Sequence, residues 1–371
     1  MSNKKRALLV AYNDLNNSGV PNVIYQTIKT IYKEYDVDII IFSDDLFYYE
    51  KLKKEGIKNV NLIRLYSNKP KSKFKLLFYH FFVNPRIQYR KTFLLDKKAK
   101  YDVLHSFKER DSWPFFKAAK KAKIPLRIYH SNISAVKQNS PIIKLLDKKN
   151  KRLSLKYSNC YIGVSKNSCE NSFHGKDYHI IHNGYDASFF NNKVGNKLKN
   201  NELVLTQVAT FNENKNQLFS IAVLRELIQL YPNAKLQLIG KAKDSLYLNL
   251  LKKNISDYNL SDNVKVLDGT NGTGDALMYT TFTILPSHSE GASITAIESQ
   301  ACGISVFAST NVPKEIDVGG VIFLDLEDGP KTWANKIYQQ FEKEGNARKE
   351  YNLSDFSNKL FQKQIKKIYG I

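Results

Sequence analysis

Short apolar runs alternate with longer stretches in which apolar residues recur every three or four positions, from near the start of the chain to its end. The runs read as buried strands and the periodic stretches as amphipathic helices. Residues 7–12 form the first run. A loop over 13–21 follows, and then a helix over 22–35 in which Ile24, Ile28, Ile31 and Tyr35 mark one face. Strands over 37–42 and 60–65 flank a helical 46–56. Strands over 101–106, 126–132 and 160–165 are separated by helices over 112–123 and 136–156. The second half repeats the scheme, with strands at 204–209, 234–239, 264–267, 282–285, 306–308 and 321–324. Its helices are expected over 218–231, 241–253, 332–343 and 355–369. Alternating strands and helices predict parallel sheets, and a polar Lys/Asn-rich stretch lies between the halves. The expectation is an α/β protein of two doubly wound, Rossmann-like domains: 1–187, a linker over 188–202, and 203–355. The last segment, 356–371, is expected to return to the first domain.

The chain's 371 residues, 42% of them hydrophobic, suffice for two cores. No run approaches the length of a membrane span, and the apolar 7–12 is too short for a signal peptide. Cys160, Cys169 and Cys302 lack metal-ligand spacing. A cytoplasmic protein fits. The net charge of +22 changes the picture more, because such a field favours polyanions: nucleic acid, anionic lipid or a phosphorylated substrate. Residues 67–100, opening at Ser67, hold ten Lys and Arg against Asp96 alone, interleaved with Phe74, Phe78, Tyr79, Phe81, Phe82, Tyr89 and Phe93. Three readings stay open. The stretch is a core helix with a solvated basic face, a helix lying on an anionic membrane surface, or a single-strand nucleic-acid surface. The last rests on charge alone, and no nucleic-acid partner is expected.

The densest chemistry follows the run 282–285. Pro286-Ser287 closes that strand, and Ile294, Ile297 and Ala301 recur at helical spacing up to Gly303. Glu290 therefore falls in the loop at a strand's carboxyl end, and Glu298 about a turn and a half into the helix. Between them the amides of Gly291, Ala292, Ser293 and Ile294 form a helix start, where unpaired N–H groups and the helix dipole attract anions. By spacing alone this is equally a surface loop entering a helix with two solvated glutamates. The whole string, Pro-Ser-x-x-Glu-Gly followed by Glu-x-x-Ala-x-Gly, resembles the donor-site signature of retaining glycosyltransferases of family 4, which have the GT-B fold. The resemblance implies two Rossmann-like domains facing each other across a cleft. It assigns Glu290 to the donor sugar, Glu298 to the nucleotide ribose, and the Ala292–Ile294 amides to the diphosphate.

The same resemblance reaches other stretches. In the loop after the first strand, Gly19 opens onto a helix and matches a glycine-rich loop facing the donor phosphates, although an ordinary turn explains it equally. His130, at a strand's carboxyl end, matches a histidine that contacts the donor sugar, and His105 is a weaker candidate. Asn183-Gly184-Tyr185-Asp186 matches the Asn-Gly-x-Asp that closes the first domain. Lys215 matches the second cation of a diphosphate clamp, whereas Thr210 stands where the first, an arginine, is usual. Gly240 matches a glycine after the next strand. No Asp-x-Asp motif is read in the chain, so no divalent metal or other cofactor is expected, and the carboxylate pair of retaining glycosidases has no counterpart here.

The resemblance implies a metal-independent, retaining hexosyltransferase using Glu290, His130 and Lys215. It would move sugar from a nucleoside diphosphate sugar, a UDP-sugar, to a lipid-linked or other cell-surface glycan, on the capsule and exopolysaccharide pattern. The location implied is cytoplasmic and peripheral on the inner membrane face. The alternatives are a weakened relative acting as a binding or scaffold subunit, which Thr210 favours, and a nucleotide-sugar epimerase of the same fold.

Overall fold

The computed structural model describes residues 4–11, 15, 19–42, 44–65, 84–108, 111–132, 141–185, 198, 201–242, 245–267 and 273–371. The chain divides into two compact units. Residues 1–184 and 359–371 make up the first, and 185–358 the second.

In the first unit the order is β1 (Lys5–Val10), α1 (Gly19–Ile31), β2 (Tyr35–Ile41), α2 (Phe47–Lys54), β3 (Val60–Arg64), α3 (Asn84–Ala99) and β4 (Val103–Ser106). It continues with α4 (Trp113–Lys121), β5 (Leu126–Ser131), α5 (Pro141–Tyr157), β6 (Cys160–Gly163), α6 (Lys166–Phe173) and β7 (His179–Ile180). Among the described residues the strands make one seven-stranded parallel sheet, ordered β3-β2-β1-β4-β5-β6-β7. β1 shows why its sequence is an unbroken apolar run. Ala7 and Leu9 enter the core on one face of the sheet, with Ile24, Ile28 and Ile31 of α1. Leu8 and Val10 enter the core on the other, with Phe115 and Phe116 of α4 and Phe173 of α6. A strand covered on both faces needs no polar alternation.

The second unit runs β8 (Val204–Val208), α7 (Gln217–Leu230), β9 (Lys235–Ile239), α8 (Ser245–Asp257), β10 (Val264–Leu267), α9 (Thr273–Leu277) and β11 (Phe282–Leu285). Then come α10 (Ile294–Ala301), β12 (Val306–Ser309), β13 (Val321–Leu324) and α11 (Gly329–Glu344). Its parallel sheet is ordered β10-β9-β8-β11-β12-β13. Leu205, Leu236, Leu238 and Ile284 pack under Ile221, Leu224 and Leu227 of α7 and Trp333, Ile337 and Phe341 of α11. Leu285, Val306 and Ala308 pack with Ala296 of α10 on the other side. Gly303, just past α10, has φ of +73°, and a Cβ there would stand 2.6 Å from the Lys349 carbonyl oxygen. Only glycine meets both conditions.

The chain enters and leaves the second unit at neighbouring points. Tyr185 and Ser357 form a parallel bridge, and the Tyr185 amide donates to the Phe356 carbonyl at 2.9 Å. The last helix, α12 (Asn358–Tyr369), then buries Phe361, Ile365 and Tyr369 in the first unit's core, one residue per turn along one face.

Two elements differ from the sequence expectation. Tyr35 does not continue α1: the helix ends at Ile31, and Tyr35 opens β2. The helix expected over 241–253 begins only at Ser245, because Ala242 bridges Phe211 as extended backbone. Residues 12–14 and 16–18 of the first loop, 66–83 of the basic stretch, 133–140, most of the linker (188–197, 199–200) and 268–272 lie outside the described residues.

Candidate active site

In the second sheet β8 lies between β9 and β11, so the chain runs outward from β8 in both directions. Loops leaving two such neighbouring strands diverge, and their carboxyl ends form the crevice where open α/β sheets bind ligands. The two loops here are 209–216 and 286–293. Asn212 receives the Lys215 amide at its Oδ1, 3.1 Å away, and caps the turn Glu213–Lys215. Gln207 of β8 donates to the Lys215 carbonyl at 2.6 Å and is itself held by the Ser220 hydroxyl at 2.7 Å. Asn214 then clips one loop to the other. Its carbonyl accepts the His288 amide at 2.9 Å, and its side-chain amide donates to the Ser289 carbonyl, also at 2.9 Å.

The clip delivers the Lys215 ammonium to Glu290, where the two form an ion pair through Oε1. The Ser287 hydroxyl donates to the same carboxylate oxygen at 2.8 Å. The Ser287 carbonyl is in turn held by the Ser309 hydroxyl of β12 at 2.5 Å. Glu290 is only 8% exposed. A carboxylate withdrawn this far from water needs such partners to remain charged.

From Glu290 the chain passes Gly291 and Ala292 to Ser293, the N-cap of α10, whose Oγ accepts the Ala296 amide at 3.4 Å. The first amides of a helix have no partner within it, so Ile294 presents its N–H at the dipole's positive end. Thr295 donates to the Val208 carbonyl of β8 at 3.1 Å, and Ser299 bonds Thr283 of β11 at 2.7 Å, fixing α10 against the strands. Glu298 lies in the helix's second turn, and burial pushes its carboxyl up to about 8.

Thr210 contributes no charge. Its carbonyl accepts the Gln217 side-chain amide at 3.2 Å. At Gly240 an added Cβ would stand 1.9 Å from the Ala209 carbonyl oxygen. The glycine lets β9's exit pass directly against the loop that carries Lys215, which is a packing reason for it, distinct from ligand contact.

The remaining residues singled out in the sequence belong to the first unit. Gly19 is the exposed first residue of α1. His130 and Ser131 end β5, fully buried, and the Ser131 hydroxyl bonds that of Ser172 at 2.8 Å. The His130 Nδ1 lies 3.2 Å from the Nε2 of His105 on β4, whose Nδ1 lies 2.9 Å from the Tyr369 hydroxyl. Burial holds the His105 imidazole well below its usual range and takes His130 down to about 3, so both are neutral.

The structure thus brings Lys215, Glu290, Gly291, Ala292, Ser293, Ile294 and Glu298 into one loop-and-helix cluster, with Thr210 and Gly240 on the adjoining strand exits. Ser287, Asn214 and Tyr369 escape a reading of the sequence. Gln207 carries a visible signal, being a polar residue inside an otherwise apolar strand. The chain does hold one Asp-x-Asp spacing, Asp36-Val37-Asp38, in β2. There Asp38 accepts from Arg6 at 3.0 Å, Tyr101 at 2.6 Å and Asn61 at 2.9 Å, so it serves the fold.

In the described part of the basic stretch, Tyr89 and Phe93 of α3 stack on each other, and Lys117 and Lys121 of α4 lie 5.8 and 5.6 Å from their rings. Ile87 and Leu94 remain exposed on α3. Among the described residues no helix is long and apolar enough to cross a membrane.

Residues 188–319 match the family model described as "Glycosyl transferases group 1". Over 286 residues the chain is 25% identical to the capsular polysaccharide biosynthesis glycosyltransferase CapH of Staphylococcus aureus, covering 74% of this chain and 78% of that one. It is 24% identical to the putative glycosyltransferase EpsF of Bacillus subtilis (strain 168) over 237 residues, 59% of this chain and 61% of that one. The crystal structure of Anabaena HepE in complex with UDP-glucose superposes with a TM-score of 0.70 at 15% identity, covering 98% of this chain and 95% of that one. The fold is the GT-B fold of these solved structures, and residues 188–319 are similar to the glycosyltransferase group 1 family.

Proposed function

We propose that this protein moves a sugar from a nucleoside diphosphate sugar, a UDP-sugar, to a lipid-linked or other cell-surface glycan, retaining anomeric configuration and using no bound metal. The observation that carries the reading is the Lys215–Glu290 ion pair set beside the start of α10. A diphosphate at that helix start meets amides and a dipole of the right sign. The Lys215 ammonium has three donors, so it can hold Glu290 and a phosphate oxygen together as charge builds on the leaving group. Glu290, held by Lys215 and Ser287, accepts from sugar hydroxyls, and Glu298 accepts from the ribose. His130 is assigned to the donor sugar on the resemblance alone. HepE, which this fold resembles, has been crystallised with UDP-glucose, and CapH is named for capsular polysaccharide biosynthesis.

The basic surface of the first unit suits an anionic acceptor or membrane face. Sedimentation with vesicles containing anionic phosphatidylglycerol should exceed that with neutral phosphatidylcholine, and equal pelleting would remove the membrane from the proposal.

A second reading has one observation in its favour. Thr210 is uncharged and Lys215 is already matched by Glu290, so little positive charge is left over to meet a diphosphate. On that reading the protein binds or scaffolds a partner. Calorimetry with a panel of nucleoside diphosphate sugars, on the wild type and on Glu298→Ala, separates the two. Saturable binding of one donor that the variant loses supports transfer, and no binding of any donor leaves the scaffold.

A further inference from the structure

The histidine that the proposed function uses is the end of a buried chain of hydrogen bonds that begins on the last helix. Tyr369, His105 and His130 lie on α12, β4 and β5, three elements of the first unit. The links are Tyr369 hydroxyl to His105 Nδ1 at 2.9 Å, and His105 Nε2 to His130 Nδ1 at 3.2 Å. The two imidazoles are nearly parallel, with ring centroids 5.3 Å apart, and Phe107 stacks on His105 at 4.1 Å. Both histidines are 0% exposed and Tyr369 is 3% exposed. The far end of the chain, His130 Nε2, is buried with no hydrogen-bond partner among the described residues.

A neutral imidazole carries one N–H and one bare nitrogen, and which is which follows from the network around it. Two arrangements are possible. In the first, Tyr369 donates its hydroxyl proton to His105 Nδ1, His105 donates from Nε2 to His130 Nδ1, and His130 carries its proton on Nε2. One group, that Nε2–H, is then left unpaired. In the second, every proton runs the other way. His130 donates from Nδ1, His105 donates to the Tyr369 oxygen, and the phenol proton has no acceptor. The only partner of that hydroxyl among the described residues is His105. Two buried groups are then unpaired, and each carries the full cost of its lost hydration. The first arrangement wins by one unpaired group.

We infer that Tyr369 and His105 are positioning residues that fix His130 in the neutral tautomer with its proton on Nε2, so that any acceptor oxygen brought to that nitrogen meets a donor. The inference rests on the reading of His130 as a donor-sugar contact only for its catalytic consequence. The proton arrangement itself stands apart from it. Tyr369 is held for this task. Its backbone carbonyl accepts the Tyr35 hydroxyl at 3.1 Å, and the two rings meet edge to face at 5.4 Å.

Long-range 1H–15N spectra of the full-length protein labelled with 15N-histidine test this, with His105→Gln and His130→Gln used to assign signals. The wild type should show both histidines with the proton on Nε2, whereas a proton on His130 Nδ1 overturns the inference. Tyr369→Phe keeps the ring and removes the hydroxyl. It should turn the single His105 pattern into a mixture of tautomers, and an unchanged pattern overturns the role of Tyr369. Tyr35→Phe frees the Tyr369 carbonyl while sparing its hydroxyl and should keep the wild-type spectrum. If it reproduces the Tyr369→Phe change, a general loosening of α12 is responsible and the specific role fails. In transfer assays Tyr369→Phe should lower kcat about tenfold with donor KM little changed, the pattern of an interaction lost from the transition state and not from ground-state binding. The expected spectra with unchanged kcat would leave the tautomer assignment standing and remove His130 from the transfer reaction.

Discussion

Lys215 and Glu290 are 75 positions apart in the chain and meet because Asn214, the neighbour of one, holds the backbone of both His288 and Ser289, the neighbours of the other. The pair is built into adjoining strand exits, with the Glu290 side chain 9% exposed and that of Lys215 24%. Removing Lys215 alone strands a nearly buried carboxylate, whereas removing both partners strands nothing. A double-mutant cycle of Lys215→Met and Glu290→Gln in urea unfolding should therefore show a coupling of about 1–2 kcal/mol. Each single variant should lose donor turnover.

Glu298 gives stability a pH dependence of known sign. Its carboxyl titrates near 8 when folded, against 4.5 ordinarily. The folded state therefore holds a proton that the unfolded chain has released, and stability drops as pH rises through that window. The urea midpoint of the wild type should decline from pH 4.5 to 8 more steeply than that of Glu298→Gln, which has no such proton. Parallel curves would mean that the carboxyl is solvated.

The histidine pair acts in the opposite direction. His105 and His130 stay neutral below the usual imidazole range, His130 to about 3. Below pH 6.5 the unfolded chain takes up protons that the folded one refuses, and stability falls as acid is added. Of the seven histidines, these two should show ring-proton signals that do not move on titration from pH 8 to 5. Movement of either near pH 6 would contradict their burial as neutral groups.

Gly240→Ala should damage both fold and site. The new methyl would collide with backbone at Ala209, which no rotamer relieves. A destabilisation of roughly 1–3 kcal/mol is expected from such overpacking, read as a lower thermal midpoint. Donor affinity should weaken with it, because the displaced segment leads into the loop of Lys215.

Much of this was legible in the order of residues. β1 declared itself as an apolar run because both its faces are covered, and β11, α10 and Gly303 lie where run, period and stop signal put them. The boundary at Tyr35 was not legible. Ile28, Ile31 and Tyr35 keep helical spacing although the helix has ended, and neither glycine nor proline marks the break. The partners of the site's residues were hidden for a different reason. Lys215 finds Glu290, and Tyr369 finds His105 across 264 positions, through strand order, and strand order is a long-range property that no local pattern reports.

The insertion of the second unit between Gly184 and Lys359 has a consequence for synthesis. The first unit's sheet is translated early, but the side chains that finish its core, Phe361, Ile365 and Tyr369, emerge only after the entire second unit. Throughout that interval the nascent sheet carries an uncovered apolar groove beside a histidine lacking its hydroxyl partner. The second unit has no such delay and can close on itself first. The half of the molecule that begins first is thus the half that matures last.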